Sequence, residues 1–322
     1  MAAEEIARLL DFGDPLRPQS AFDIALCCTV CKAPVYRLCC TKCGFEMREH
    51  DGIIDALAPD RAQYYARFLT DYERIRLAEG RGSEDASFYL ALPYRDTTGR
   101  NSRQWAIRAR SYDYLIRHLL VNLPARGRVL DLGAGNCWLS YRLSRMGFRP
   151  VAVDLLTNRK DGLGAAFHLR EHLPTEIPCF QAELGCLPFR DNQFDTVIFN
   201  ASFHYSENYE ETLREALRCV KAGGKIIISD SPWYRRTESG QQMVAERHAF
   251  FHQRYGTASD SIRSLEFLTD DRLHALETTL SIKWIVYRPW YGWRWATRPW
   301  VARAYGHREP SRFRIYVATK NA

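Results

Sequence analysis

The 322-residue sequence predicts an α/β fold with a seven-stranded, mostly parallel sheet, helices on both faces and a small cysteine-rich segment in front. From residue 128 onward, short apolar runs alternate with segments of helical periodicity, which is typical of βαβ units. A glycine-rich turn follows the first apolar run. Near the amino terminus, six of the ten cysteines lie within seventeen residues.

The clustered cysteines form two similar phrases, CCTVCK at residues 27–32 and CCTKCG at residues 39–44. Each contains a Cys-x2-Cys turn, and two such turns supply the four thiolates of a closed structural Zn²⁺ site. Pairings through Cys27 or Cys39, reduced core cysteines and redox chemistry stay open, whereas disulfides are disfavoured in a reducing compartment. The predicted zinc ligands are Cys28, Cys31, Cys40 and Cys43.

The predicted domains are a segment at residues 1–58, with the zinc ribbon at about 24–58, and a larger unit at 125–322. Between them, residues 59–124 form a helical linker or lid, because apolar residues recur there every three to four positions. A further helical stretch at 241–255 falls in an insertion at about 231–265, where a lid would lie.

The larger unit holds the seven predicted strands. The two final strands have no long helix between them, so we expect the last strand to insert antiparallel beside its predecessor. The predicted strands cover residues 128–132, 150–153, 177–180, 196–200, 225–229, 282–287 and 313–318.

The first strand runs into the turn VLDLGAGNCWLS at residues 129–140. Its glycines let the backbone approach a ligand closely, and the helix that follows presents free N–H groups. Trp138 stands where a dinucleotide-binding turn would carry its third glycine, which disfavours a dehydrogenase. Asp154 ends the second strand about twenty residues downstream, where a carboxylate can accept hydrogen bonds from ribose hydroxyls.

These phrases, with AELGCLPFRDNQFDTVIFN and LRCVKAGGKIIISD in the same order, resemble the class I S-adenosylmethionine-dependent methyltransferase family over residues 125–230 and, more loosely, 265–322. The resemblance implies a Rossmann-like sheet and S-adenosylmethionine as cofactor. It places Asp131 at the methionine end, Asp154 at the ribose, Glu183 at the adenine edge and Asn200 at the sulfonium. The family more often has Asp-Ala where this chain has Glu183-Leu184. The implied cofactor residues are Asp131, Gly133, Ala134, Gly135, Asn136, Asp154, Leu155, Glu183, Leu184 and Asn200.

Methyl transfer from a sulfonium is an in-line displacement, which needs a base only when the acceptor must lose a proton first. The candidate catalytic residues are His204 and Tyr205, just past the fourth strand, and Asp230 at the end of the fifth. Each of them could equally be a packed structural side chain.

The basic charge is concentrated at the carboxy terminus, although the whole chain is only +7. Residues 281–322 carry seven Arg, two Lys and five of the eight Trp against one acidic residue, Glu309. Within them, the aromatic and basic insertion at about 288–312 could stack RNA bases, bind an anionic glycan or enter a membrane interface. It could also pack its tryptophans over the sheet edge, and it is too irregular for one amphipathic helix.

Three functions are compatible with these patterns. The first is an enzyme that methylates a small, lipid-like or glycan-linked acceptor under helical lids. The second is an RNA methyltransferase that holds ribosomal or transfer RNA with its ribbon and basic tail, since similar ribbons precede some bacterial enzymes that methylate guanine in ribosomal RNA. The third is a scaffold without catalysis. Duplex DNA is disfavoured, because Asn200 is followed by Ala-Ser-Phe and not by Pro-Pro-aromatic.

The composition, with 46% hydrophobic and 26% charged residues, is that of a globular chain and excludes disordered and fibrous classes. No run reaches the roughly 18 apolar residues of a membrane helix. The first residues, MAAEEIAR, are acidic where a secretory signal would be basic. We therefore expect a cytoplasmic protein.

Overall fold

The computed structural model describes residues 23–321. A two-stranded ribbon at the cysteines is formed by β1 (Val35–Tyr36) and β2 (Cys39–Cys40). The main sheet has nine strands in the order β10-β11-β9-β8-β5-β6-β7-β4-β3. These are β3 (Arg48–His50), β4 (Ile53–Asp55), β5 (Arg128–Leu132), β6 (Arg149–Asp154), β7 (Cys179–Gln181), β8 (Phe194–Asn200), β9 (Val220–Ser229), β10 (Ile285–Tyr287) and β11 (Ile315–Thr319).

The helices alternate with these strands. Three 3₁₀ segments accompany them at Leu120–Asn122, Leu163–His172 and Phe203–Tyr205. The α-helices are α1 (Pro59–Ala78), α2 (Ala86–Ala91), α3 (Ser102–His118), α4 (Trp138–Arg145), α5 (Tyr209–Cys219), α6 (Thr237–Tyr255), α7 (Asp270–Leu280), α8 (Trp293–Ala296) and α9 (Arg298–Ala304).

The predicted fold class is confirmed. Strands β4 to β9 pair in parallel along the sheet, and all seven predicted strands are present. Strand β11 inserts antiparallel between β9 and β10, as expected from the absence of a long helix between the last two strands.

Two strands beyond the predicted seven extend the sheet at its other edge. They form the β3–β4 hairpin, which was not predicted from the sequence. Strand β4 pairs in parallel with β7. The hairpin turns at Asp51 and Gly52, whose φ angles are 54° and 78°. An Asp-Gly pair with two positive φ angles is the usual two-residue hairpin turn, so the signal was present in the sequence. The cysteine-rich segment is thereby joined to the sheet edge.

The core has two halves because successive residues of a strand point to opposite faces of the sheet. In β5, Leu130 and Leu132 pack into one hydrophobic cluster with Leu213 of α5 and Leu273 of α7. Val129 points the other way, into a second cluster that contains buried residues of α2, α3, α4 and the 163–172 segment. Helices therefore cover both faces, as predicted.

Helix α1 stands apart from both core clusters. Its buried residues Tyr65 and Phe68 form a small separate cluster with Leu57 and Ile262. Proline at its first turn starts the helix where the backbone N–H groups have no partner. The role of this helix as a lid stays a prediction. Within residues 23–321, no helix is both long and apolar enough to cross a membrane.

Candidate active site and metal centre

A cleft lies at the carboxyl ends of the parallel strands, where ligands of open α/β sheets bind. It contains about 1350 Å³ of space free of protein atoms, counting its open mouth. The glycine turn after β5 and the ends of β6 and β8 form its floor, and α1 forms its roof. All ten predicted cofactor residues line this cleft.

The glycine turn is shaped by contacts that a side chain would prevent. Gly133 has φ +73°, and a Cβ atom there would lie 2.2 Å from the Cβ of Ser202. The N–H groups of Gly133 and Ala134 both donate to the carbonyl of Val153, at 2.8 and 3.0 Å. The turn is thus fixed to the end of β6 with its open side towards the cleft.

Asp131 contributes a buried carboxylate with one unused oxygen. Its Oδ2 accepts a hydrogen bond from the Ser140 hydroxyl at 2.7 Å, while Oδ1 is buried and has no partner among the described residues. Burial raises the pKa of Asp131 to about 7, and the nearby charge of Asp154 adds to the effect. An unsatisfied buried oxygen in a ligand-sized cleft is suited to a ligand that brings a donor.

Asp154 fixes the loops on either side of it. Its Oδ2 accepts from the N–H of Gly135 and its Oδ1 from the N–H of Leu156, both at 2.8 Å. Burial raises the pKa of this carboxyl, and the two backbone donors oppose that shift. Each oxygen keeps a second lone pair, so the carboxylate can still accept from ribose hydroxyls.

Glu183 is tied to the roof of the cleft. Arg61 of α1 donates to both of its carboxylate oxygens, with Nε–Oε1 at 2.9 Å and Nη2–Oε2 at 2.6 Å. The Tyr65 hydroxyl donates to Oε2 at 3.0 Å. The residue placed at the adenine edge is therefore also the anchor of the lid.

The cleft is also lined by two more arginines, Arg76 and Arg108. Arg76 of α1 pairs with Asp161. Arg108 of α3 lines the cleft without an ion pair to any described residue, and its guanidinium lies 4.9 Å from the ring of Trp105. Burial and the neighbouring Arg81 and Arg76 lower the pKa of Arg108 to about 10. Its charge is available to an anionic group of a ligand.

The three candidate catalytic residues have different positions. Tyr205 lines the cleft, and its ring meets Tyr72 of α1 edge-on, with ring centres 5.8 Å apart. His204 and Asp230 are not among the residues that line it. The His204 ring is buried, with Nδ1 at 3.4 Å from the Ser231 hydroxyl, and burial lowers its pKa to about 3.

Asp230 lies deeper, behind the cleft. Its Oδ1 accepts from the Ser111 hydroxyl, which also lies 2.8 Å from the hydroxyl of Tyr291. Burial raises the pKa of Asp230 to about 6. Of the three predicted residues, the structure therefore brings only Tyr205 to the cleft wall.

Comparisons with known proteins agree with this geometry. The profile of a family described as "Methyltransferase domain" matches residues 130–228, which run from β5 to β9. Residues 130–228 therefore resemble a methyltransferase domain. The matched segment holds the glycine turn, Asp154, Glu183 and Asn200.

Two curated relatives are similar to part of this chain. A fatty-acid O-methyltransferase of Mycolicibacterium smegmatis is 29% identical over 128 residues, which are 37% of this chain and 46% of the relative. A demethylmenaquinone methyltransferase of Corynebacterium urealyticum is 32% identical over 110 residues, 34% of this chain and 44% of the relative. The chain thus spans less than half the length of these relatives.

A solved structure shares the fold. Phosphoethanolamine N-methyltransferase 2 of Haemonchus contortus, in complex with S-adenosyl-L-methionine, superposes with a TM-score of 0.50 at 15% identity. The alignment covers 74% of this chain and 60% of that chain.

The individual residues of the cleft's roof were not predicted from the sequence. The sequence predicted α1 as a lid but gave no role to Arg61, Tyr65 or Tyr72, nor to Arg108 of α3. The signal available was the recurrence of aromatic and basic residues on one side of α1. The second predicted lid, at about 231–265, has a smaller part in the cleft. Its helix at 237–255 does not line the cleft, whereas Ile262 does.

The four predicted zinc ligands come together in front of the methyltransferase domain. The sulfurs of Cys28, Cys31, Cys40 and Cys43 all lie within 4.8 Å of one another. Cys28 and Cys43 are 3.6 Å apart and Cys31 and Cys40 are 3.4 Å apart, Sγ to Sγ. Four sulfurs at about 2.3 Å from one ion in a tetrahedron would be roughly 3.8 Å apart. The cluster therefore has the dimensions of a four-cysteine zinc site.

The two spare cysteines are accounted for separately. The Cys27 thiol is buried and donates to the carbonyl of Phe189 at 3.0 Å, while Cys39 is exposed. Neither belongs to the four-sulfur group.

Proposed function

We propose that this protein is an S-adenosylmethionine-dependent methyltransferase that transfers a methyl group to a small, lipid-like or glycan-linked acceptor held under α1. The observation that carries the proposal is the cleft itself, whose lining combines an unpartnered buried oxygen of Asp131 with a turn in which Gly133 has no room for a side chain. Asp154, Glu183 and Asn200 line the same cleft, at the ends of successive strands.

The residues fit the cofactor group by group. The free oxygen of Asp131 would accept from the ammonium of the methionine moiety, and the Arg108 guanidinium would pair with its carboxylate. The Asp154 carboxylate would accept from the ribose hydroxyls, with Glu183 and the Leu184 backbone at the adenine. When bound, the cofactor supplies a methyl group on a positively charged sulfur.

The contribution of the chain is alignment and exclusion of water. An in-line displacement needs the acceptor atom held behind the methyl group, and the rigid strand ends at Asn200 and Ser202 provide a fixed floor for that alignment. Tyr65, Phe68 and Tyr72 close the cleft from above, which keeps water from the reacting atoms.

If the acceptor must lose a proton, Tyr205 is the predicted residue that reaches the cleft. We propose positioning roles for the other two predicted residues. His204 is kept neutral by its low pKa, and Asp230 orients Ser111 and, through it, Tyr291.

The lining of the cleft favours a lipid-like acceptor. Apolar and aromatic side chains of α1, together with Ile262, cover the space next to the floor. The curated relatives named above act, by their names, on a fatty acid and on demethylmenaquinone. A flat apolar surface under a movable lid would bind an acyl chain or a quinone by burying its surface.

We also propose that Cys28, Cys31, Cys40 and Cys43 bind a structural Zn²⁺. The spacing of their sulfurs supports this role, and the ribbon would then be a stable extension of the sheet edge. Folding around the metal would fix the loop that leads into β3.

Calorimetric titration with S-adenosylhomocysteine tests cofactor binding, and methyl transfer from labelled S-adenosylmethionine tests the acceptor. The acceptors to compare are medium-chain fatty acids, a demethylated quinone and total RNA fragments. We expect micromolar cofactor binding, loss of affinity in Asp131→Asn, and label in a lipid fraction. Asp271→Asn, on the exposed side of α7, is the matched control.

The outcomes separate the three functions. Label in RNA, with binding that weakens steeply as salt rises, would replace the lipid proposal with the RNA-methylating one. Absence of cofactor binding in a folded protein would leave only a scaffold.

A further inference from the structure

The carboxy-terminal insertion presents a cluster of exposed apolar side chains that the fold does not use. We name this the α8–α9 face. Its members are 52–78% exposed, although they are residue types that are usually buried. They are Trp290, Trp293, Trp300, Val301 and Tyr305.

The exposure is not a sign that the segment is unattached. Trp295 stacks on Phe313 just before β11, with ring centres 5.3 Å apart, and the Arg298 guanidinium lies 3.2 Å from the centre of the Trp295 ring. Trp284 is buried at the sheet edge. The insertion therefore packs on the sheet through one set of aromatics and presents a different set outward.

The charge of the same face is strongly positive. Residues 288–312 contain six arginines and one acidic residue, Glu309. Two of the arginines are paired, Arg308 with Glu246 and Arg312 with Glu309. The guanidinium groups at positions 288, 294 and 303 form no ion pair with any residue in the described range 23–321. Those groups are free to meet an external anion.

The α8–α9 face is connected to the cleft. Tyr291, at its base, lies 2.8 Å from the Ser111 hydroxyl of α3. Arg108, one turn earlier on the same helix, lines the cleft. The face is thus linked to the cleft wall through one turn of α3.

We propose that the α8–α9 face docks onto an anionic lipid bilayer, so that the enzyme takes its acceptor from the membrane surface. This inference rests on the lipid-like acceptor of the proposed function. Trp and Tyr rings favour the headgroup region, and Arg side chains reach outward to the phosphates while their stems stay apolar. Exposed tryptophan, tyrosine and valine side chains in a segment with unpaired arginines are the pattern of a peripheral membrane site.

The same face is less suited to RNA. RNA bases stack on aromatic rings whose flat faces are exposed to solvent, as on the surface of a β-sheet that binds RNA. Here Trp290 and Trp293 meet edge to face at 84°, and the aliphatic Val301, next to Trp300 in sequence, is exposed as well. Aliphatic side chains gain free energy in lipid and contribute little to stacking.

Vesicle sedimentation with the full chain tests the proposal. The vesicles are phosphatidylcholine alone and phosphatidylcholine with 30% phosphatidylglycerol. We expect binding to the anionic vesicles only. The double variant Trp293→Ser/Trp300→Ser should lower the partition coefficient about tenfold or more, since two interfacial anchors are removed. Arg294→Gln/Arg303→Gln should lower it by a similar factor and remove most of its salt dependence.

Phe250→Ser is the matched control, because Phe250 is 54% exposed on α6, outside the face, and its loss should leave vesicle binding unchanged. Every variant should bind S-adenosylhomocysteine with the affinity of the parent protein. A loss of vesicle binding can then be attributed to the α8–α9 face and not to damage in the cleft. Equal binding by the parent and the double tryptophan variant would overturn the proposal. So would binding of the parent protein to RNA fragments with no binding to either kind of vesicle.

Discussion

Binding of S-adenosylhomocysteine is expected to depend on pH through Asp131. The folded protein holds a proton on this carboxyl below pH 7, because burial raises its pKa to about 7. The ligand's ammonium favours the charged carboxylate, so binding below pH 7 must release that proton. With one group of pKa about 7, the association constant at pH 6 should be about tenfold lower than at pH 8.

The assay is calorimetric titration at pH 6, 7 and 8 in two buffers with different ionisation enthalpies, which counts the protons released. We expect about 0.9 proton per ligand at pH 6 and about 0.1 at pH 8, the fractions that a single group of pKa about 7 gives. Asp131→Asn keeps the size of the side chain but cannot ionise, so it should bind more weakly at pH 8 and show no dependence on pH.

Two further variants isolate the effect. Asp154 lies in the same cleft and burial raises its pKa too, so Asp154→Asn must keep the pH dependence if Asp131 is its source. Asp271→Asn should behave like the parent protein. A flat profile in the parent protein, or an unchanged tenfold rise in Asp131→Asn, would refute the assignment of Asp131 to the ammonium.

Three other predictions concern the metal site, the lid and a buried base. Protein purified without chelator should contain about one equivalent of zinc, and Cys28→Ser should lose it together with thermal stability while Cys39→Ser retains both. A double-mutant cycle of Arg61→Met and Glu183→Gln, measured by urea unfolding, should give a coupling free energy of about 1 kcal/mol, because their hydrogen bonds are charged but partly exposed. A coupling of zero would show that the Arg61–Glu183 pair does not hold α1 to the cleft. The pKa of His204 is about 3 in the folded protein and about 6.5 in the unfolded chain, so between these pH values only the unfolded chain binds a proton at this residue. The free energy of unfolding should therefore fall as pH drops below 6.5. That part of the acid sensitivity should be absent from His204→Gln, and its persistence would show that another group causes it.

Much of the cleft floor could be predicted from sequence because its signals are local. A buried strand, a glycine turn and a helix start occupy residues 128–145 without interruption, and each is fixed by its own apolar period or backbone freedom. Asp154 and Asn200 both line the cleft because the carboxyl ends of parallel strands meet at one edge. The four grouped cysteines could be predicted because they lie in two short Cys-x2-Cys turns, which are local sequence patterns.

Other features could not be predicted from local sequence patterns, because they depend on contacts in the folded protein. His204 and Tyr205 are neighbours in sequence, yet only Tyr205 reaches the cleft, because the 3₁₀ turn at Phe203–Tyr205 directs the imidazole towards Ser231. The β3–β4 hairpin had a turn signal, but its pairing with β7 depends on a strand more than a hundred residues away.

The sequence by itself therefore determined seven strands of the sheet, the glycine turn, the acids at the strand ends and the four grouped cysteines, because short-range periodicity and turn chemistry encode them. Tertiary structure alone decided that Arg61 clamps Glu183 across 122 residues, that Ser202 closes the space beside Gly133, and that the outer tryptophans of the α8–α9 face stay exposed. These features are contacts between distant segments, and their energies depend on which surfaces the completed fold brings together.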